Sequence, residues 1–272
     1  MHPALQIGEV VEMICTQVAP YGATCSHVRR DLSRLARTSS IFLDPTLNIL
    51  WRHQDSIVNL LRCMPDQLWK IEETRPDDYE PDFIVLDIVL LRPITPADWE
   101  RFFFYSHRVK SFSIEGQPLL ETPEVYEILG ICLTGEFIFP KLQKLDWEPI
   151  PSEFFHHVRL FLAPTITNLR IFIKNTSYLS MLSTLAIKCP GLTNVTISTT
   201  FLSELDTVPV ISSFVCALRH IEILSVPRLD QAALSHIARL PSQVAAFEPP
   251  IPSPRCPAGS HHFPALTGSR LQ

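Results

Sequence analysis

Leu182 to Ser198 reads LSTLAIKCPGLTNVTIS, and two periodicities meet inside it. Leu182, Leu185 and Ala186 recur at spacings of three and four, the pattern of a helix with one buried face. Pro190 cannot continue a helix, so the pattern ends there. Leu192, Val195 and Ile197 then follow as LxxLxL, whose second half alternates like a half-buried strand. The stretch predicts a helix, a tight turn and a short strand, in that order.

The strand half recurs along the chain. VKSFSIE from Val109, LQKLDWE from Leu142, ITNLRIF from Ile166, LTNVTIS from Leu192 and IEILSVP from Ile221 are all apolar at positions one, four and six. Their starts are 33, 24, 26 and 29 residues apart. Helical patterns lie between or before them: TPADWERFFFYSHR, SEFFHHVRLFLA, YLSMLSTLAIKCP and DQAALSHIARLP. One strand and one helix every ~20 to 30 residues is the pattern of a leucine-rich-repeat solenoid, a curved parallel sheet with outer helices. An ordinary α/β sheet with coincidental spacing is the competing reading. The opening stretch also resembles the cysteine-containing leucine-rich repeat, which implies that Cys189 packs inward at the helix end and that Pro190 stops the helix.

Alternation within each strand buries positions one, four and six and turns positions three, five and seven to the concave face. Those residues are Ser111, Ser113, Glu115, Lys144, Asp146, Glu148, Asn168, Arg170, Phe172, Asn194, Thr196 and Ser198. A polar, mixed-charge, lightly aromatic row suits a protein substrate better than a small molecule. A solvated sheet face is the alternative.

Ahead of the repeats lies a short helical module. Ile7, Val10, Val11, Ile14 and Val18 recur at helical spacing, and so do Val28, Leu32, Leu35 and Ala36, with Arg29, Arg30, Arg34 and Arg37 on the opposite face. Pro45 is read as opening a third helix in PTLNILWRHQDSIVNLLRCM, because proline is tolerated in a first turn. Three short helices in roughly fifty residues make a core that a partner would steady. ETRPDDYEPD, Glu73 to Asp82, is acidic, carries two prolines and reads as a linker.

The composition narrows the function. Hydrophobic residues make up 46% and charged residues 19%, so the chain holds a substantial core. A net charge of -5 leaves no basic footprint for nucleic acid. The longest apolar run, FIVLDIVLL from Phe83, is far short of the ~20 residues that span a bilayer. The N-terminus lacks a secretory pattern, and seven scattered cysteines read as reduced. Cytoplasm and/or nucleus is the expected location. Eight glycines against 24 prolines, with no phosphate-loop or nucleophile-elbow motif, argue against a catalytic domain. No cofactor or metal is expected. His156 and His157 adjoin on a helix, so they face different directions and form no i,i+4 ligand pair. The cluster Asp77, Asp78, Glu80 and Asp82 lacks the glycine and final Glu of a calcium loop. His261, His262 and Cys256 lie in a tail, 248–272, whose six prolines read as disordered. The repeats end without a polar cap, which is read as a truncated or alternatively spliced product.

LQIGEVVEMIC, LSRLARTSSIFLDP and LNILW together resemble an F-box. WRHQDSIVNLLRCMPDQLW and LRPITPADWERF resemble the wording of the F-box and leucine-rich-repeat proteins of mushroom-forming fungi. The resemblance spans roughly residues 3–241. Gly8 stands where the family pattern has proline, and Ser39-Ser40 where it has Cys-Arg.

The resemblance implies a non-catalytic substrate receptor of an SCF-type ubiquitin ligase. An F-box at 3–52 docks Skp1 and, through it, cullin. A connecting helix and linker occupy 53–82, and irregular repeats at 83–247 bind a protein substrate for degradation. The implied Skp1-binding residues are Ile7, Val10, Ile14, Leu32, Leu35, Ala36, Phe42, Pro45, Leu50 and Trp51, although Ile14 and Leu35 serve a small internal core equally well. The alternative is a leucine-rich-repeat interaction scaffold that does not engage the ligase.

Overall fold

The computed structural model describes residues 7–19, 26–74, 84–114, 119–121, 123–133, 135–148, 152–199 and 203–240. The acidic cluster 77–82, Glu115 and the tail 248–272 with Cys256, His261 and His262 therefore lie outside the described residues. The chain divides into two units, Met1–His53 and Gln54–Pro250, close to the predicted end of the helical module.

The first unit holds α1 (Gly8–Val18), α2 (Ser26–Ala36) and α3 (Ser40–Trp51). Each helix turns one stripe inward: Val11 and Cys15 from α1, Leu32 from α2, and Thr46, Leu47, Leu50 and Trp51 from α3. Cys15 Sγ lies 3.5 Å from Thr46 Oγ1, so the two polar groups buried between α1 and α3 satisfy each other. The expected break at Pro45 is absent, because α3 begins at Ser40 and runs through the proline. Proline inside a helix costs ~3 kcal/mol. Burying Leu47, Leu50 and Trp51 beyond it returns about 1.5–3 kcal/mol per side chain, so packing outweighs the lost hydrogen bond.

The second unit is α/β. After β1 (His53–Gln54), which straddles the boundary, it contains in chain order α4 (Val58–Leu61), β2 (Trp69–Thr74), β3 (Ile84–Leu90), α5 (Trp99–Ser106), β4 (Ser111–Ser113), β5 (Leu119–Glu121) and α6 (Pro123–Cys132). There follow β6 (Lys144–Trp147), β7 (Asn168–Ile173), α7 (Met181–Lys188), β8 (Asn194–Thr199), α8 (Glu204–Ala217), β9 (Ile223–Ser225) and α9 (Gln231–Ile237). Among the described residues the strands form a six-stranded sheet, ordered β1-β4-β6-β7-β8-β9, and a three-stranded sheet, β2-β3-β5.

All five predicted strands are successive parallel neighbours, and their repeat positions coincide with the register. Phe112 pairs with Leu145, Leu145 with Leu169, Leu169 with Val195, and Val195 with Leu224. Residues one and four of every segment are buried, as are Trp147, Ile171, Ile197 and Val226 at position six, while Ile114 is half-buried. A second regularity sits at position two. The carbonyl of Lys110 accepts from the amides of both Gln143 and Lys144, and Gln143 from Thr167 and Asn168. Thr167 accepts from Thr193 and Asn194, and Thr193 from Glu222 and Ile223. One forked acceptor thus joins each strand segment to the next.

Cys189 caps α7 with its amide on the Leu185 carbonyl and is fully buried, its thiol donating to the Ala163 carbonyl at 3.5 Å. The inward position expected for it holds.

Three features differ from the sequence reading. Residues 53–82, read as a connecting helix and linker, hold the one-turn α4 and strand β2. Strand β2 pairs antiparallel with β3, Trp69 against Leu90 through Thr74 against Val85. Strand β5, which lies between the first and second repeat segments, pairs parallel with β3 rather than joining the larger sheet, and with α6 it explains the long first step of 33 residues. SEFFHHVRL is a 3-10 helix, Ser152–Leu160, and its two histidine rings do not diverge: their centroids are 3.8 Å apart. The helical rotation separates the Cβ directions, but each ring lies far enough out to reach across that angle. Among the described residues no helix is long and apolar enough to cross a membrane.

Candidate functional site

The expected substrate row lies along the six-stranded sheet. Register places Ser111 beside Lys144, Lys144 beside Asn168, and Asn168 beside Asn194. It places Ser113, Asp146, Arg170 and Thr196 in a second rank, and Phe172 beside Ser198 in a third. The sheet therefore gathers residues from four strands into three ranks, with neighbours within a rank one strand spacing apart, ~4.8 Å. Glu148 follows the end of β6 and lines a shallow depression with Asp146, Arg170, Phe172 and Ser198. That depression measures ≈ 230 Å³, counted out into open solvent.

The ranks differ in exposure. Lys144 is exposed, whereas Asp146 is only 7% exposed. Lys144 Nζ lies 3.0 Å from Asp146 Oδ2, so the least accessible carboxylate of the face carries its own counter-charge. The Lys174 ammonium sits 5.0 Å from the centre of the Phe172 ring, a cation–π contact at the rim. Thr167 Oγ1 donates to Asn168 Oδ1 at 2.9 Å, while Asn194 Oδ1 is buried without a hydrogen-bond partner. The remaining residues of the row are half-buried. Side chains held at half exposure in ranks present a surface of fixed shape, suited to an extended partner more than to a molecule needing enclosure.

The residues expected to meet Skp1 separate into two groups. Leu32, Leu50 and Trp51 are buried at 0%, 6% and 5% exposure and form the internal core of the helical unit. Ile7 is 50% exposed, and Val10, Ile14, Leu35, Ala36, Phe42 and Pro45 are half-buried. Ile7, Val10 and Ile14 sit at i, i+3 and i+7, an apolar stripe offset from the buried Val11 and Cys15. Met13 and Leu43, which sequence reasoning passed over, are 58% and 43% exposed. Met13 falls off the inward stripe of α1, whereas Leu43 is in line with Leu47 and Leu50 at i+4 and i+7, so its exposure could not be read from helical spacing.

A third constellation supports the fold. Arg92 donates twice to Asp98, at 2.7 Å to each carboxylate oxygen, and the Thr95 amide and hydroxyl donate to the same side chain at 2.7 and 2.8 Å. The Arg92 hydrogen bonds, then the Thr95 amide, hold the Asp98 carboxyl well below the usual carboxylate range. Asp98 thereby closes the capping box that starts the 3-10 turn Pro96–Asp98 leading into α5.

Comparison of the chain with protein-family models, with curated proteins and with solved structures returned no match.

Proposed function

We propose that the chain is an F-box-type substrate receptor of an SCF ubiquitin ligase. In this reading the three-helix unit docks Skp1, and the ranked face of the parallel sheet holds a protein substrate. The observation that carries it is the helical unit's pairing of an internal core with a second, outward apolar set: Ile7, Met13 and Leu43 exposed, Val10, Ile14, Leu35 and Phe42 half-buried. Large apolar side chains left partly in water on so small a unit are what a docking partner would cover. The sheet supports the second half of the reading. Its five parallel, in-register segments are consistent with a leucine-rich-repeat reading, and its polar ranks stand on those strands.

The test is capture of purified Skp1 by the full chain. The double variant Ile7→Asp with Leu43→Asp puts two charges on the outward set without touching Leu32, Leu50 or Trp51. Wild-type capture that the double variant loses, with its circular dichroism unchanged, supports docking. Equal capture by both chains removes the mapping. No capture by the wild type favours the interaction-scaffold reading, to which Gly8 and Ser39-Ser40 already lean.

A further inference from the structure

The adjacent histidines of the 3-10 helix Ser152–Leu160 and a carboxylate of α6 form a cluster within the second unit. Tyr126 of α6 stacks on the His157 ring, with centroids 5.4 Å apart at 26°, and meets Phe154 edge-on at 6.1 Å. These contacts clamp the 3-10 helix to α6 and fix the His157 ring. The His156 ring lies against the other histidine at 3.8 Å. Ligand-capable atoms of Glu127, His156 and His157 all lie within 4.8 Å of one another. Glu127 and His156 are exposed, while His157 is 2% exposed.

His157 supplies a second, independent sign of a ligand: its Nε2 is buried and has no hydrogen-bond partner. The large majority of buried side-chain polar atoms have a hydrogen-bond partner.

We propose that Glu127, His156 and His157 bind a divalent ion of the zinc class. Two imidazoles and one carboxylate make up a three-ligand zinc set, and nitrogen donors select against calcium and magnesium, which take oxygen. Zinc bonds of about 2.0–2.1 Å put tetrahedral ligand atoms ~3.3 Å apart. Closing from 4.8 Å needs a shift of ~1.5 Å, within reach of rotamer changes in the two exposed side chains. His157, clamped by Tyr126 and Phe154, is the fixed anchor, and the solvent side leaves a fourth position to water. The ion ties α6 to the 3-10 helix.

Equilibrium dialysis of the metal-free full chain against Zn2+, read by elemental analysis, tests the site. Co2+ substitution gives a second readout. The wild type is expected to retain one zinc per chain and to show visible cobalt bands without thiolate charge transfer. His156→Ala and Glu127→Gln, both at exposed positions, should each weaken zinc by at least about tenfold with circular dichroism unchanged. A variant with His261→Ala and His262→Ala should bind like the wild type. Failure of the wild type to bind zinc overturns the proposal. So does equal binding by the variant combining His156→Ala with Glu127→Gln, or a cobalt spectrum dominated by thiolate.

Discussion

Replacing Gly8 by proline should tighten the first helix without adding a contact. Gly8 is the first residue of α1. The amide at that position has no acceptor within the helix, so the donor that proline lacks is not missed there. A Cβ built on Gly8 meets no heavy atom within 4 Å, which leaves room on that side for the ring. Proline also demands an extended residue before it, and Ile7 already stands at φ -94°, ψ 112°. With the native backbone accommodating the ring, the effect comes from the unfolded chain, which loses glycine's freedom. The gain is about 0.4–1 kcal/mol. That corresponds to amide exchange in α1 slowed by about two- to fivefold where local opening governs exchange. Hydrogen exchange read by mass spectrometry on peptides covering residues 8–18, beside Gly8→Ala, measures it. Alanine removes glycine's freedom but does not lock φ, so it should fall between wild type and proline. Faster exchange in the proline variant, with residues 54–240 unchanged, would refute the placement of Gly8 at a helix start.

Other expectations concern the second unit. Phe161 is fully buried, with its ring 4.8 Å from Phe112, 5.0 Å from Trp147 and 5.6 Å from Phe139, so Phe161→Ala should cost ~3–5 kcal/mol in a urea titration. A loss under ~1 kcal/mol would mean that the aromatic cluster is not the core of that unit. Asp98 binds its proton only at unusually low pH when folded, so the stability it adds is fully present above pH ~4 and lost as the pH falls below that. Asp98→Asn should therefore shrink the difference between urea midpoints at neutral and acid pH, and an unchanged difference counts against the Arg92 pairing. Burial pushes the thiols of Cys63 and Cys189 up to about 12 and about 11, whereas Cys216 is exposed. Iodoacetamide at pH ~8 should modify Cys216 well before Cys189, and equal native rates would contradict the burial of Cys189.

The sequence carried the larger sheet because its strands are buried along a single face. LxxLxL records that one-sided burial directly, so the alignment of Phe112, Leu145, Leu169, Val195 and Leu224 became the register. The smaller sheet left a fainter trace. In Trp69–Thr74 only Trp69 is buried and the rest is half-buried or exposed, so the strand shows almost no hydrophobic period to read. The break expected at Pro45 failed because local preference was weighed without the tertiary packing of Leu47, Leu50 and Trp51. In the candidate docking set, residue type and helical spacing identified apolar positions but not which side of each helix met its neighbours. Leu32, Leu50 and Trp51 consequently fell inside. The histidine pair was misjudged for a related reason, since sequence spacing describes where Cβ atoms point and not where rings arrive.

The forked carbonyls at Lys110, Gln143, Thr167 and Thr193 bear on how such a chain can change over generations. The hydrogen-bonded joint between neighbouring segments is the same each time, while the step from one segment's start to the next varies from 24 to 33 residues. Added length in a spacer therefore leaves the joint untouched, and the β5–α6 excursion between Ser113 and Lys144 is an instance. New sequence, and with it new binding surface, can accumulate in the spacers while the spine keeps its alignment. A single residue inserted between positions one and six of a segment has no such latitude. It would turn Leu169 or Val195 from the core to the solvent and displace every rank of side chains beyond it.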